Sequence, residues 1–357
     1  MKKSDPISRR NFLSSAATGA GTLLAAGALP VLATEEKSGW FDKKQINPNI
    51  DNLRVVSCCD PKMISADPRK WDMASQNAPV IAERVQANMD ALACGLAQKK
   101  TAHEAWGSIF RKPASKEWQD VKVAIKLNCL GDNHPRVAVV NSVCRALVSL
   151  GIAPGNIVLY DGVGNAGPLY RSLVGSGIVS GVAVSDKNEL LGGTTSTQVP
   201  KPHAGSFKCT AAIANGTIDI LVNIAVNKGT PIAGMTMTMK NHAGTFEPMP
   251  IHLGGGLNYI IAFSKSEALL GGDPVRQQLC IVDSIWANTG GPFGVPNKRP
   301  CMLAMGAFSP AVDYVMARRV REPLMGCKHP PELSKIMSEF GYANFETLDM
   351  VKVEPPA

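Results

Sequence analysis

The sequence predicts an α/β fold, in which a mostly parallel sheet carries helices on both faces; a division into two lobes around a cleft is left open. Short apolar runs recur at residues 121–127, 156–160 and 218–226, and each has the length of a buried strand. Segments with helical spacing of apolar residues, such as 137–150, lie between these runs. Alternation of this kind is typical of a sheet that is covered by helices.

The first 33 residues differ from the rest of the chain. Ser8-Arg9-Arg10-Asn11-Phe12-Leu13 has the form of a twin-arginine export signal, and residues 11–34 carry no charge. Residues 31–33 offer the small side chains that a signal peptidase reads. We therefore expect residues 1–33 to be a signal peptide for the twin-arginine translocase, a periplasmic location, and no stable membrane span after cleavage. Retention as an anchor is the alternative, although the segment is weakly apolar.

Composition and charge restrict the classes of protein. Hydrophobic residues make up 45% of the chain and charged residues 18%, as in an ordinary globular protein. The signal segment contributes three of the +8 formal charges, and the remainder is spread thinly. Because no cluster of Lys and Arg is interleaved with aromatic residues, we expect no nucleic-acid partner. The mild positive charge favours an anionic small molecule.

The cysteines indicate no local cofactor motif. There are nine, and no two of them show the C-x-x-C spacing of an iron–sulfur or zinc motif. We interpret them as mostly buried, unpaired thiols, with one or two disulfides left open. A protein that folds in the reducing cytoplasm before export would keep such thiols.

The chain after the signal divides into two predicted parts. Residues 34–118 are interpreted as an N-terminal extension with a helix, and residues 119–357 as the α/β domain. The helix is predicted to start at Asn77 and Pro79 and to run to Gln98, because apolar residues recur at helical spacing from Ile81 to Leu96.

The elements of the α/β domain follow from its apolar runs and its Gly and Pro residues. The strand at 121–127 is followed by the helix at 137–150, which Gly151 ends. The same reasoning predicts strands at 156–160, 218–226, 279–282 and 301–305, and helices at 169–174, 310–321 and 330–340.

Polar and glycine residues cluster where four of these strands end. In open α/β sheets, ligands collect beyond the carboxyl ends of the strands, because helix N-termini and loop amides converge there. Lysines at such positions bind carboxylate or phosphate groups, and a desolvated lysine can act as a base. The residues at these ends are Lys126 and Asn128, Asp161 with Gly162 and Gly164, Asn223 and Lys228, and Asp283 with Gly290 and Gly291.

Gly162, Gly164 and Gly167 also fit the dinucleotide-binding pattern G-x-G-x-x-G. However, Asp161 places a carboxylate where a pyrophosphate would approach, and Pro168 follows at once. We therefore prefer a glycine-rich turn that lets a ligand or a metal approach backbone amides.

Residues 234–244 contain the densest polar motif, the consecutive Lys240, Asn241 and His242. We interpret the triplet as an anion-binding group. The alternating methionines before it are interpreted as core packing, since methionine commonly fills gaps. A third interpretation is that the methionines and histidines of residues 235–252 bind copper.

These motifs together resemble the "domain of unknown function 362" (DUF362) family. The matching segments lie between residues 121 and 321 and are Ile125-Lys126-Leu127-Asn128, Asp161-Gly162, Asp219-Ile220-Leu221-Val222-Asn223 with Lys228, Lys240-Asn241, Val282-Asp283-Ser284, Gly290-Gly291-Pro292 and Asp313. The chain has Lys228-Gly229-Thr230 where the family usually has Lys-Thr-His, and it lacks the cysteine repeats of some relatives. The resemblance implies a shared site and no particular reaction.

The leading hypothesis is a periplasmic protein of enzymatic character that binds an anionic small molecule, a divalent metal or both. Its catalytic residues are predicted to be Lys240, Asp161, Asp283 and Lys228. Its ligand-binding residues are predicted to be Lys126, Asn128, Asn223, Asn241, His242, Gly162, Gly164, Gly290 and Gly291. One alternative is a redox or metal-handling accessory protein that is exported with its cofactor bound. The other is a solute-binding protein without turnover.

Overall fold

A computed structural model describes residues 44–357, apart from 232–233 and 253–254. The elements given below belong to one unit, Phe41–Ala357. The predicted signal peptide, residues 1–33, lies outside the described residues, so export by the twin-arginine route stays a prediction. Among the helices of the described residues, none has the length and apolar character of a membrane-spanning segment.

An eight-stranded sheet organises the fold, with the strand order β10-β1-β9-β8-β7-β2-β3-β4. Strand β9 runs antiparallel to both of its neighbours, and the other paired strands of this sheet are parallel. A separate antiparallel hairpin pairs β5 with β6. The ten strands are β1 Val55–Cys59, β2 Val123–Lys126, β3 Ile157–Asp161, β4 Ala183–Asp186, β5 Thr194–Val199, β6 Gly205–Thr210, β7 Ile220–Val226, β8 Gln277–Ser284, β9 Met302–Gly306 and β10 Val351–Lys352.

The central strands are continuous apolar runs, which suits them to the buried middle of the sheet. Every residue of β2, β3, β7, β8 and β9 is buried, as expected for strands that are covered on both faces. The edge strand β10 is exposed, and β4 at the other edge is half-buried. The apolar core therefore follows the middle of the sheet.

Helices surround the sheet, and several begin or end as their sequence predicts. The helices are α1 Met73–Asn77, α2 Ala82–Ala97, α3 Ala102–Ile109, α4 Val137–Ser149, α5 Ala166–Tyr170, α6 Ala211–Ala214, α7 Met249–His252, α8 Gly256–Lys265, α9 Ser309–Val315, α10 Glu322–Met325 and α11 Lys335–Ser338. Thr101 caps α3 by accepting a hydrogen bond from the Glu104 amide at 3.3 Å. Gly151, with a φ of +99°, follows α4.

Two single-turn or irregular segments bear on the site. A 3₁₀-helix covers Lys240–His242. Between α9 and α10 the chain forms a π-helix, Met316–Arg321, so that this helical stretch continues with one wide turn. Further 3₁₀-helices cover Pro61–Met63, Trp118–Asp120, Pro154–Asn156, Arg171–Leu173, Glu189–Leu191 and Pro331–Ser334.

The structure confirms the α/β class, as a mostly parallel sheet with helices around it. The five predicted strands correspond to β2, β3, β7, β8 and β9. The helix predicted to start at Asn77 and Pro79 corresponds to α2, which begins later, at Ala82. The strands that were not predicted are β1, β4, β5, β6 and β10. Of these, β5 and β6 alternate exposed polar residues with few apolar ones, so they lack the apolar run on which the prediction relied.

Candidate functional site

Four adjacent parallel strands end at one edge of the sheet, which we call the carboxyl edge. They are β8, β7, β2 and β3, in this order. The register places Lys126 opposite Asn223 on β7 and Val226 opposite Asp283 on β8. The polar residues predicted at the ends of these strands therefore lie along the same edge, where ligands of open α/β sheets collect.

A buried ion pair joins β2 to β3 at this edge. Lys126 Nζ lies 3.0 Å from Asp161 Oδ1, and both side chains are almost fully buried. The other carboxylate oxygen accepts a hydrogen bond from the Cys129 amide at 2.6 Å. Lys126 Nζ also donates to Asn241 Oδ1 at 3.4 Å. Both oxygens of Asp161 thus have protein partners, and the pair fixes the segment that contains Asn241 against the strand ends.

Amide and imidazole groups continue this network. Asn241 Nδ2 donates to Asn223 Oδ1 at 2.8 Å, and Asn223 Nδ2 donates to Gln277 Oε1 at 3.1 Å. The Nε2 atom of His242 also contacts Gln277 Oε1, and Nδ1 lies 3.1 Å from Thr245 Oγ1. The Asn223 Nδ2 donor lies 3.0 Å from the same Nε2 atom, so this ring nitrogen contacts both an acceptor and a donor. Burial lowers the pKa of His242 to about 3, so the ring stays neutral.

Asp283 is held in a second ion pair. Its Oδ2 atom accepts a hydrogen bond from the Arg136 amide at 2.6 Å and lies 3.3 Å from Arg136 Nε. Its Oδ1 atom accepts from the Ile285 amide at 3.2 Å. The Arg136 guanidinium lies 5.3 Å from the centroid of the Trp286 ring. Asp283, like Asp161, therefore has a protein partner for each oxygen.

Lys228 is a fully buried lysine without a carboxylate partner in the described part of the chain. Its ammonium donates to Asn128 Oδ1 at 2.8 Å and to the Leu130 carbonyl, both uncharged acceptors. Burial lowers the pKa of Lys228 to about 7. His134 lies close by, and its pKa is lowered to about 3 by burial and by the charges of Lys228 and Arg136. Lys228 can therefore both donate and accept a proton near neutral pH.

Arg321 is a second buried cation in the same region, and the sequence analysis did not single it out. Its guanidinium is fully buried and donates to Asn227 Oδ1 at 2.5 Å and to the Asn288 carbonyl at 3.1 Å. Its Nε atom has no hydrogen-bond partner. No ion pair links this guanidinium to a carboxylate among the residues that the structure describes. Residues 227–230 therefore connect two buried cations, since Lys228 belongs to them and Arg321 binds Asn227.

The predicted glycines fall into two groups. A Cβ at Gly162 would lie 1.8 Å from the Gly244 carbonyl oxygen, and a Cβ at Gly164 would lie 2.8 Å from the Cys129 Cβ. These two glycines let the turn after β3 contact other loops of the edge. A Cβ at Gly290 or Gly291 would meet no atom within 4 Å. Gly229, which was not predicted, packs against Gly290, because its Cβ would lie 1.9 Å from the Gly290 carbonyl oxygen.

Lys240 stands apart from the other predicted lysines. The backbone just before it is held by Asp313, which accepts hydrogen bonds from the Thr238 amide at 2.8 Å and the Met239 amide at 2.9 Å. The side chain is 7% exposed, and its ammonium makes no hydrogen bond or ion pair with any described residue. Burial lowers the pKa of Lys240 to about 8. The network of the carboxyl edge thus includes Asn241 and His242 but not the Lys240 ammonium.

The site offers neither a cluster of metal-binding side chains nor a reactive thiol in the part of the chain that the structure describes. The described residues contain no group of three or more His, Cys, Asp or Glu side chains placed to hold a metal ion. All nine cysteines are free thiols. Burial raises the pKa of Cys129 and of Cys280 well above the usual value, so both stay protonated.

A cavity of about 790 Å³ is lined by residues of α1, α2, α4 and the 168–177 segment. None of the predicted site residues lines it. We place the candidate site at the carboxyl edge, because unpaired buried charge is concentrated there.

Comparison with models of protein families gives a match. A family model described as a domain of unknown function (DUF362) matches residues 123–318. This range contains every predicted site residue and excludes Arg321. No protein of curated function matches the chain.

Proposed function

The chain belongs to the DUF362 family, and we propose that it binds a small anionic molecule at the carboxyl edge and transfers a proton to or from it through Lys228. The observation that carries this proposal is the presence of two fully buried cations, Lys228 and Arg321, neither of which has a carboxylate partner among the described residues. Arg321 binds Asn227, the neighbour of Lys228 in the chain. Removing a charge from water without a counter-ion is costly. An anionic ligand bound beside them would offset that cost.

The geometry supports Lys228, more than the two aspartates, as the acid–base group. Asp161 and Asp283 each use both oxygens in contacts with the protein. Lys228 has a pKa near 7, so a ligand can find it either as an ammonium or as a neutral amine. Its partners, Asn128 and the Leu130 carbonyl, orient the nitrogen without neutralising its charge. Asn128 is thus proposed as a positioning residue.

The site is covered by a loop rich in glycine. Residues 289–295 follow β8, and Gly229 packs directly against Gly290 of this loop. Asn288 donates to the Gly291 and Gly294 carbonyls at 3.3 Å and 2.8 Å, which holds the loop over the segment containing Lys228. A ligand would enter where this loop moves, because Lys228 itself has no exposed surface.

The test is stabilisation by anions. Inorganic phosphate and small carboxylates are added at constant ionic strength, and the midpoint of thermal unfolding is measured. A bound anion raises the midpoint through linkage. We expect the rise in the natural protein and in Lys265→Met, and at least a tenfold weaker apparent affinity in Lys228→Met.

Lys265 is the matched control because it is buried to a similar extent but forms an ion pair with Glu339 at 2.9 Å. If none of the anions stabilises the natural protein, or if Lys228→Met and Lys265→Met respond alike, the proposal is wrong.

A further inference from the structure

Lys240 is the one buried lysine of the described residues whose nitrogen makes no hydrogen bond or ion pair with another described residue. Three other buried lysines make a useful comparison. Lys126 pairs with Asp161, Lys228 donates to Asn128, and Lys265 pairs with Glu339. Lys240 is 7% exposed, about as buried as Lys265 at 8%, yet its nitrogen has no such contact with a described residue. The Lys240 Nζ atom is not one of the fully enclosed polar atoms that lack a hydrogen-bond partner, so the small exposed part of this side chain includes the nitrogen.

The backbone around Lys240 is fixed, so the amine is held in place. Lys240 begins the 3₁₀-helix Lys240–His242. Asp313 binds the preceding turn through the Thr238 amide and hydroxyl, at 2.8 Å and 2.5 Å. On the other side, Asn241 is tied to Asn223 at 2.8 Å. The fixed backbone thus holds a mostly buried amine in one place, whereas the ammonium of a surface lysine moves freely in solvent.

The His252 imidazole lies within electrostatic reach of this amine. Burial lowers the pKa of the His252 imidazole, the hydrogen bond to Pro248 opposes this, and the charge of Lys240 adds to the lowering. His252 Nδ1 lies 2.7 Å from the Pro248 carbonyl oxygen. Because a carbonyl oxygen only accepts, Nδ1 carries the proton of the neutral ring.

We propose that Lys240 is a nucleophilic amine that forms an imine with an aldehyde or ketone. The lone pair of the neutral Nζ adds to the carbonyl carbon, and the carbonyl oxygen is protonated to give a carbinolamine. The carbinolamine loses the oxygen as water, taking the remaining proton of the nitrogen, and a C=N bond results. Addition of water reverses the reaction, so no oxidant or reductant is consumed. A desolvated lysine without a counter-ion is the form of this side chain suited to such chemistry.

This inference goes beyond the proposed function, because it concerns a different amine from Lys228.

The test uses two aldehyde probes, acetaldehyde and glyoxylate, with sodium cyanoborohydride to reduce any imine to a stable secondary amine. Peptide mass spectrometry then measures labelling at each lysine. We expect Lys240 to be labelled at least tenfold faster than Lys265, its match in burial, and this preference to vanish in urea-unfolded protein.

The variant Lys240→Arg keeps the positive charge but loses the nucleophilic amine. We expect it to lose the fast labelling and to keep the stabilisation by phosphate that tests the Lys228 site, so the two proposals can fail separately. Labelling spread over exposed lysines, with Lys240 no faster than Lys265, would overturn the inference. Faster labelling by glyoxylate than by acetaldehyde would indicate a carbonyl substrate that also carries a negative charge.

Discussion

Asp161 illustrates, at the scale of single residues, how the carboxyl edge holds a buried charge. Its two oxygens accept from Lys126, from the Cys129 amide and from the Val163 amide at 3.1 Å. The Lys126 ammonium has Asp161 as its only carboxylate partner among the described residues. Removing one member of a buried ion pair leaves the other charge buried without a partner. The free-energy cost of that change is larger than the net stabilisation that the intact pair provides.

We therefore expect Asp161→Asn to lower the free energy of unfolding by about 3–5 kcal/mol. The matched control is Asp67→Asn, since Asp67 pairs with Arg299 at 3.0 Å on the surface. That variant should lose less than about 1 kcal/mol. Chemical denaturation of both variants measures the difference, and equal losses would mean that the Lys126–Asp161 pair does not fix the edge.

Single residues also show what the sequence could and could not predict about the site. Lys126, Asp161 and Asn223 were grouped from their positions at strand ends, and the register of parallel strands is enough to bring them together. No strand position predicts that Arg321 reaches Asn227, because that contact depends on how a distant helix packs. The sequence also does not predict the direction of the Lys240 side chain, since consecutive residues of a turn point in different directions.

Loops, at the scale of elements, determine the shape of the carboxyl edge. The segment after β7 and the segment after β8 touch backbone to backbone at Gly229 and Gly290, a contact that leaves no space for a side chain. Gly290 itself faces open space. Two glycines in neighbouring loops thus have opposite tolerance for a methyl group.

This difference gives a paired prediction. In Gly229→Ala the two loops must separate, and we expect a loss of about 1–3 kcal/mol in the free energy of unfolding, as for other overpacked sites. Gly290→Ala should change it by less than about 0.5 kcal/mol. Urea unfolding at neutral pH compares the two variants. A harmless Gly229→Ala would show that the loops over Lys228 are not in contact.

The elements that were predicted correctly share one physical property. Strands β2, β3, β7, β8 and β9 are buried on both faces, so each must be a continuous apolar run that can be recognised without knowing its neighbours. The hairpin of β5 and β6 is half exposed and rich in Thr and Ser, so its pairing depends on contacts that only the folded chain provides.

The molecule as a whole should respond to acid through its buried histidines. The pKa of His242 is about 3 in the folded state and about 6.5 when the chain is unfolded. Between these values the unfolded state binds more protons, so the free energy of unfolding falls as the pH falls from about 6.5 towards 3. His134 acts in the same direction. Asp313, whose pKa burial raises to about 6, acts in the opposite direction.

The contribution of His242 is isolated by comparing the natural protein with His242→Gln at two pH values. We expect the free-energy difference between the two proteins to shift by about 2–3 kcal/mol from pH 7 to pH 4.5, with the natural protein losing more stability. The exposed His103→Gln is the control and should show no such shift. Guanidinium denaturation provides the values, and parallel pH curves for all three proteins would contradict the prediction.

The wide turn at Met316–Arg321 has a consequence for how this helix could vary among related chains. A π-helical turn accommodates one residue more than a regular turn, and each residue of a regular helix advances by about 100° around the axis. A deletion of one residue ahead of Arg321 would therefore let the backbone relax into ordinary α-geometry without rotating the residues that follow. A single-codon loss in this stretch, provided that Arg321 itself is kept, would leave the guanidinium beside Asn227 and every strand of the sheet in place.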